Sequence, residues 1–445
     1  MSRPLTPWRL AAFVSLEVPI AAFLVPIIVF VPPFYAGEMG LGLSLVGVLF
    51  GLTKLWDIVT DPLFATLSER FGPRQHSRRF WLMVSIPLML LGVYKIFLPP
   101  ASITGWYFTF WMLVLYSGWT LLVIAHITWG VELSNDYHER SRIASYRQGA
   151  ALIGSLIITL IPVGIDQFTG ASETLRIHAI GAFIMISLPI FAGLVIWSTN
   201  QSPPASHTIK SLSGPRWLDF LRIVRENRNM RILLLSNMAV LLAVGTTAST
   251  MLFYTESVLR LGNWSTLAIV PFLFSGLLFL PLWRSLARSV GKHKAYRISM
   301  IIQVALLSLF LVIPAENLVL ALLAFILIGA NQGTINFLPQ AMIADVADVD
   351  ASSSGTVRTA IFIGLLQSTS KISGALSVAL MYMLLPLTGF DPSPNAENTA
   401  SSLSGLRILI TVAPSLCYLT GIYLMLGYDL SEEALSGSTR TTVTA

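Results

Sequence analysis

The chain has 445 residues, of which 54% are apolar and only 11% charged, with a mean hydropathy of +0.73. Soluble domains carry about 25% charged residues, so a soluble globular protein is excluded. The net charge of +6 does not mark a nucleic-acid binder, because the basic residues cluster at the edges of apolar stretches.

A membrane crossing needs about 20 apolar residues. Twelve stretches qualify: 10–34, 43–67, 80–99, 105–134, 148–168, 177–198, 232–258, 265–285, 297–314, 318–344, 359–388 and 405–427. They predict an all-α membrane protein of twelve transmembrane helices in two six-helix halves. The first stretch is too long for a signal-peptide core and reads as a retained span.

Span one carries an acid, Glu17. Span two carries Thr53, Lys54, Asp57 and Asp61, and ends at Glu69 and Arg70, with Arg74 in the loop beyond. Four residues apart on a helix, Asp57 and Asp61 share one face at about 6 Å. At an effective dielectric near 20 they repel by roughly 3 kcal/mol, and in hydrocarbon each costs more. A proton, a metal cation or a basic side chain relieves such a pair, so the span reads as a cation-handling element. Thr53, one turn before Asp57, is a candidate oxygen ligand. Lys54 is either a structural counter-ion or part of coupling.

Span four holds His126 and Trp129, and Arg147 stands at the start of span five. The stretch 199–231 is a polar linker with Pro203, Pro204 and Gly214-Pro215; its part from Trp217 to Arg225 has the helical spacing of a segment lying on the inner leaflet. Span ten holds Asn331, Gln332, Asn336 and Gln340, expected to bond between helices. Span eleven places Lys371 near its middle, too deep to snorkel easily. The lone cysteine, Cys417 in span twelve, excludes an internal disulfide and a thiolate metal site. The Ser/Thr-rich tail 428–445 reads as disordered. The domain plan is therefore 1–198 as an N-terminal bundle, 199–231 as linker, 232–427 as a C-terminal bundle, and the tail.

Basic residues alternate with the spans. Arg3 and Arg9 precede span one, Arg70, Arg74, Arg78 and Arg79 follow span two, and Arg140, Arg142 and Arg147 follow span four. Further groups follow spans six, eight, ten and twelve, whereas the opposite loops carry little beyond Lys95, Arg176, Arg260 and Arg407. The positive-inside rule then puts both termini in the cytoplasm. The halves also repeat: Leu67-Ser-Glu-Arg-Phe-Gly72 matches Leu286-Ala-Arg-Ser-Val-Gly291 at an offset of 219 residues, and Pro62 falls on Pro281. Such repeats mark secondary transporters. At that offset Asp57 and Asp61 fall on Gly276 and Leu280, so the acidic pair belongs to the first half alone.

Several motifs carry a family likeness. They are Pro32-Pro33-Phe34-Tyr35, Trp56-Asp57-x-x-x-Asp61-Pro62 with Gly72 and Arg79-Phe80-Trp81, and the run from Trp129 through Arg140 to Arg147. Later come Ala341-Met-Ile-Ala-Asp345-Val-Ala-Asp348, Gly364 to Lys371, Gly389-Phe-Asp-Pro392 and Gly405-Leu-Arg407. In this order the chain resembles the glycoside–pentoside–hexuronide:cation symporters, the melibiose-permease-like branch of the major facilitator superfamily. The resemblance implies an alternating-access symporter of the bacterial inner membrane coupling Na⁺, Li⁺ or H⁺ to a small organic solute. It implies cation binding at Asp57 and Asp61 (a metal site if the ion is Na⁺), coupling through Lys371, and a conformational latch at Glu69, Arg70 and Arg74. Sugar-transporting relatives place an acid in span one where this chain has Ala21, with Glu17 one turn earlier; their second acid falls near Val123 or Ile124, and Ala65 replaces a usual glycine. A galactoside is therefore not inherited, and Glu17, His126, Trp129 and Arg147 are the candidate solute residues.

Three functions compete: symport of a sugar, glycoside or other small solute; transport of a lipid or amphiphile on the same scaffold; and, from another class, a non-transporting sensor. No appended output domain supports the sensor. No HExxH, Cys/His cluster, phosphate-binding loop or dinucleotide fingerprint supports an enzyme or a cofactor.

Overall fold

The structure, a computed structural model, describes residues 6–70, 77–133, 137–169, 172–199, 225, 227–354, 359–393 and 396–429. All regular elements among them are helical. The first half contains α1 (Pro7–Val14), α2 (Glu17–Val29), α3 (Val31–Ala36), α4 (Leu43–Arg70), α5 (Ser77–Phe97), α6 (Gly105–Glu132), α7 (Tyr137–Thr169) and α8 (Glu173–Ser198). The second contains α9 (Arg228–Phe253), α10 (Ser265–Val290), α11 (Lys292–Leu307), α12 (Leu309–Val312), α13 (Leu318–Ala330), α14 (Gln332–Ser354), α15 (Thr359–Leu384) and α16 (Ala400–Met425).

Among the described residues, eleven helices are long and apolar enough to cross a membrane. The remaining expected span is α4. Its 28 residues reach about 42 Å at 1.5 Å per residue, long enough to cross a bilayer, and its described side chains form an apolar run over Leu43–Trp56. Three spans expected as single helices are interrupted. Span one breaks at Ser15–Leu16 and again at Phe30, where Pro32 and Pro33 have no N–H to offer the carbonyls four residues back. Span nine breaks at Ser308 and span ten at Asn331.

The chain forms two compact units. The first holds the described residues up to Thr199 together with Gly262–Thr266 and Asp391–Glu397; the second holds the remainder. In the first, α5 packs along α6, α2 along α7, α4 on α6, and α8 on α5 and α2. In the second, α9 packs along α15 and α16, and α11 on α16 and α14. Span one against five is thus echoed by seven against eleven, one against six by seven against twelve, and three against six by nine against twelve. The repeat in the sequence reappears as repeated helix pairing.

Segment 262–266 joins the first unit through polar contacts at the end of α7. Asp166 and Arg176, both buried, form an ion pair of 2.6 Å between α7 and α8. Thr266 donates to the other oxygen of Asp166, and Gln167 donates to the Asn263 carbonyl at 3.1 Å.

Candidate solute and cation sites

The turn between α1 and α2 leaves the Phe13 carbonyl in the last turn of α1, where backbone acceptors have no partner in their own helix. His126 comes from α6 and is fully buried. Its Nε2 lies 3.0 Å from the Phe13 oxygen and its Nδ1 3.2 Å from Glu17 Oε1. From α7, Arg147 donates Nε to the same Glu17 oxygen at 2.6 Å, and its Nη2 reaches that oxygen too. Three of the four expected solute residues, lying on three different spans, therefore converge on one carboxylate oxygen. Charge-assisted bonds of this kind are stronger than neutral ones, and buried charges persist only when paired in this way.

A backbone contact permits the convergence. A Cβ on Gly154 of α7 would lie 2.3 Å from the Val18 carbonyl oxygen, so α2 and α7 approach with nothing between their backbones. Trp129, the fourth residue, is buried with its ring edge-on to Phe13 at 6.1 Å and 79°; its Nε1 meets no acceptor among the described residues. Arg147 keeps 18% of its side chain accessible against 9% for Glu17 and none for His126, so it is the most open member of the cluster.

α4 carries Asp57 and Asp61 on one continuous helix, four residues apart; their side chains lie outside the described residues. Thr53 is buried and donates its hydroxyl to the Phe50 carbonyl at 2.9 Å, which spends the donor and leaves the oxygen as an acceptor. The Lys54 ammonium sits 4.4 Å from the centre of the Tyr116 ring on α6, a cation–π contact. Trp56 donates to Ser117 on the same helix at 3.1 Å. Glu69 and Arg70 end α4 with side chains outside the described residues, as is Arg74 altogether. The linker helix expected over Trp217 to Arg225 also falls outside them, apart from Arg225.

In the second unit Lys371 is half-buried on α15, flanked by bonds that tie this helix to α9: Asn237 to Thr369 at 3.0 Å and Ser373 to the Met238 carbonyl at 2.9 Å. The span-ten amides behave as expected at Asn331, whose Nδ2 donates to the Ser299 carbonyl and, at 3.0 Å, to Gln303. Ion pairs that the sequence did not announce include Asp166–Arg176 and Lys292–Asp345, the latter at 2.7 Å. The signal for the first was an acid and a base ten residues apart across a short loop; for the second, nothing local linked residues 53 apart.

The family described as MFS/sugar transport protein matches residues 12–432. The chain belongs to that family. As a member it is an integral membrane transporter and not an enzyme. It is 26% identical over 420 residues to a putative 2,3-dihydroxypropane-1-sulfonate exporter of Salmonella typhimurium, covering 90% of this chain and 88% of that protein. It is 24% identical over 418 residues to the putative glycoside/cation symporter YagG of Escherichia coli, covering 92% and 88%. Among solved structures, the nucleoside transporter NupG matches with a TM-score of 0.69 at 12% identity, covering 95% of this chain and all of that one; this likeness shows the fold.

Proposed function

We propose that this transporter is a symporter of the plasma membrane, the inner membrane in a bacterium. It couples Na⁺ or H⁺ to the movement of a sugar, glycoside or other small organic solute by alternating access between residues 1–198 and 232–427, with both termini cytoplasmic. Asp57 and Asp61 hold the cation with help from Thr53, Lys54 and Lys371 couple it to the solute, and Glu69, Arg70 and Arg74 latch the cycle. The solute is held at Glu17, His126, Trp129 and Arg147. One observation carries this reading: a partly open arginine, an acid and a histidine from three spans meet inside one bundle. Ionisable groups at that depth are costly and mark solute or ion pathways. The reach of Arg147 favours a hydroxylated solute bearing an anionic group, since guanidinium recognises oxyanions. The relative whose name includes a sulfonate and the one named a glycoside/cation symporter support the two halves of this reading.

The test is uptake by proteoliposomes of neutral glycosides, uronates, hydroxylated sulfonates and a lysophospholipid, each with and without a Na⁺ gradient and with a protonophore. Gradient-dependent accumulation of a hydroxylated anion is the expected result. Accumulation of the lysophospholipid alone would favour the lipid reading instead.

A further inference from the structure

His126 sits between two oxygens. The Phe13 carbonyl at 3.0 Å from Nε2 can only accept a hydrogen bond. Glu17 Oε1 at 3.2 Å from Nδ1 already receives two donors from Arg147, so it too is an accepting, ionised oxygen. A neutral imidazole has one donor and one lone pair. In either tautomer its lone pair would point at one of these oxygens, in a place with no room for water around a fully buried ring. The imidazolium donates from both nitrogens and satisfies both oxygens. The Phe13 ring, with its centre 4.5 Å from that of the imidazole and tilted by 30°, offers the ring face that attracts a cation.

No other described charge competes for this position. α2 presents Glu17, α7 presents Arg147, and α1 presents the Phe13 backbone, with Arg9 exposed near its start. Lys54 of α4 is engaged on the ring of Tyr116, ten residues earlier on α6. Glu139 of α7 pairs with Arg142 at 3.2 Å, and the charged residues of α5 lie at its ends, Arg78 and Arg79 in the first turn and Lys95 in the last. On α8, Glu173, Arg176 and His178 lie in its first two turns, Arg176 being paired with Asp166.

We propose that His126, between Glu17 and the Phe13 carbonyl, is a proton-binding site separate from the Asp57–Asp61 cation site, and that its proton supplies the positive charge an anionic solute needs in order to bind. With the proton, the cluster of Glu17, Arg147 and His126 carries one net positive charge; without it the cluster is neutral. The site that recruits an oxyanion is thereby the site that holds the proton. The link to the solute rests on the cluster being the solute site, whereas the proton site itself stands on the bonds of His126.

Two measurements separate these. Histidine-selective ¹⁵N magnetic resonance of the full protein in lipid nanodiscs, without solute, reads the ring nitrogens, with His126 identified by the signal lost in His126→Gln. Both His126 nitrogens should be protonated under the conditions in which the solute binds, and Glu17→Gln should convert the signal to that of a neutral ring. A neutral His126 in the unsubstituted protein, or a signal unmoved by Glu17→Gln, overturns the proton site. The second measurement is binding of 2,3-dihydroxypropane-1-sulfonate, with glycerol as its neutral counterpart, as pH is raised until the His126 ring signal turns neutral. Affinity for the sulfonate should fall by up to tenfold per pH unit, and His126→Gln should flatten that dependence. Sulfonate binding that ignores pH overturns the linkage. A protonated His126 with no sulfonate binding at any pH refutes the solute reading and leaves the proton site supported.

Discussion

Gly154→Ala should damage the solute cluster without touching any residue in it. The new Cβ would lie 2.3 Å from the Val18 carbonyl oxygen, 2.8 Å from its Cα and 2.9 Å from its carbonyl carbon. Ordinary carbon contacts begin near 3.5 Å, so α2 must retreat from α7 by about 1 Å. Glu17 adjoins Val18 and moves with it, which stretches the 2.6 Å bond from Arg147 Nε to about 3.6 Å, beyond hydrogen-bonding reach. Overpacking of this size costs about 1–3 kcal/mol, and a charge-assisted bond is worth about 1.5–3 kcal/mol. Thermal denaturation in detergent should show the first loss, and solute affinity should fall by roughly 10- to 100-fold through the second. The control is Gly149→Ala on the same helix, where an added Cβ meets nothing within 4 Å. It should leave stability and binding near those of the parent. If Gly154→Ala and Gly149→Ala behave alike in both assays, the packing of α2 on α7 does not position the cluster.

Asp57→Asn or Asp61→Asn keeps size but removes the charge that offsets cation dehydration; gradient-driven accumulation should vanish while downhill solute exchange survives, and normal accumulation in both variants would remove the cation assignment. Lys371→Ala should lower coupled uptake with expression and melting temperature largely retained, which uptake measured alongside a thermal melt will check. At the end of α7, Asp166→Asn takes the carboxylate from the buried Arg176 and should cost about 3–5 kcal/mol. Thr266→Val loses a single hydroxyl bond to Asp166 and should cost about 1 kcal/mol. Equal melting shifts for these two would mean that Arg176, not the carboxylate, sets the stability there.

The helical plan was legible because membrane burial writes itself into long apolar runs, and those runs alone placed the spans. The breaks were legible only in part. Pro32 and Pro33 announce the one after Val29, but nothing of comparable strength marks Asn331, where close helix packing decides. Glu17 stood out because a carboxylate in an apolar span demands a partner. Which partner it takes depends on how α2, α6 and α7 rotate against each other, and sequence spacing fixes only neighbours on one helix. The acceptor on Phe13 was beyond reach for a simpler reason: it is backbone, freed by the turn at Ser15–Leu16, and its residue type carries no sign of it.

The repeat explains why the acidic pair occupies one half. Position 276, which matches Asp57 by offset, is a glycine whose Cβ would lie 2.7 Å from the Gly333 nitrogen. Reciprocally, a Cβ on Gly333 would lie 2.4 Å from the Gly276 oxygen, so α10 and α14 touch backbone to backbone there. No side chain, and least of all a carboxylate, fits at that register without driving the two helices apart. Polar residues nearby bond mostly to one another: Asn331 Nδ2 to Ser299 and Gln303, and Thr334 to Ser299 at 3.2 Å, with Asn331 Oδ1 left over. Such networks rigidify a bundle. The first half instead holds an arginine with a partly open side chain and a helix with two acids one turn apart. Two halves of common pattern have therefore diverged in what their buried polar groups do. The second uses them to hold itself together, and the first leaves charge within reach of what it carries.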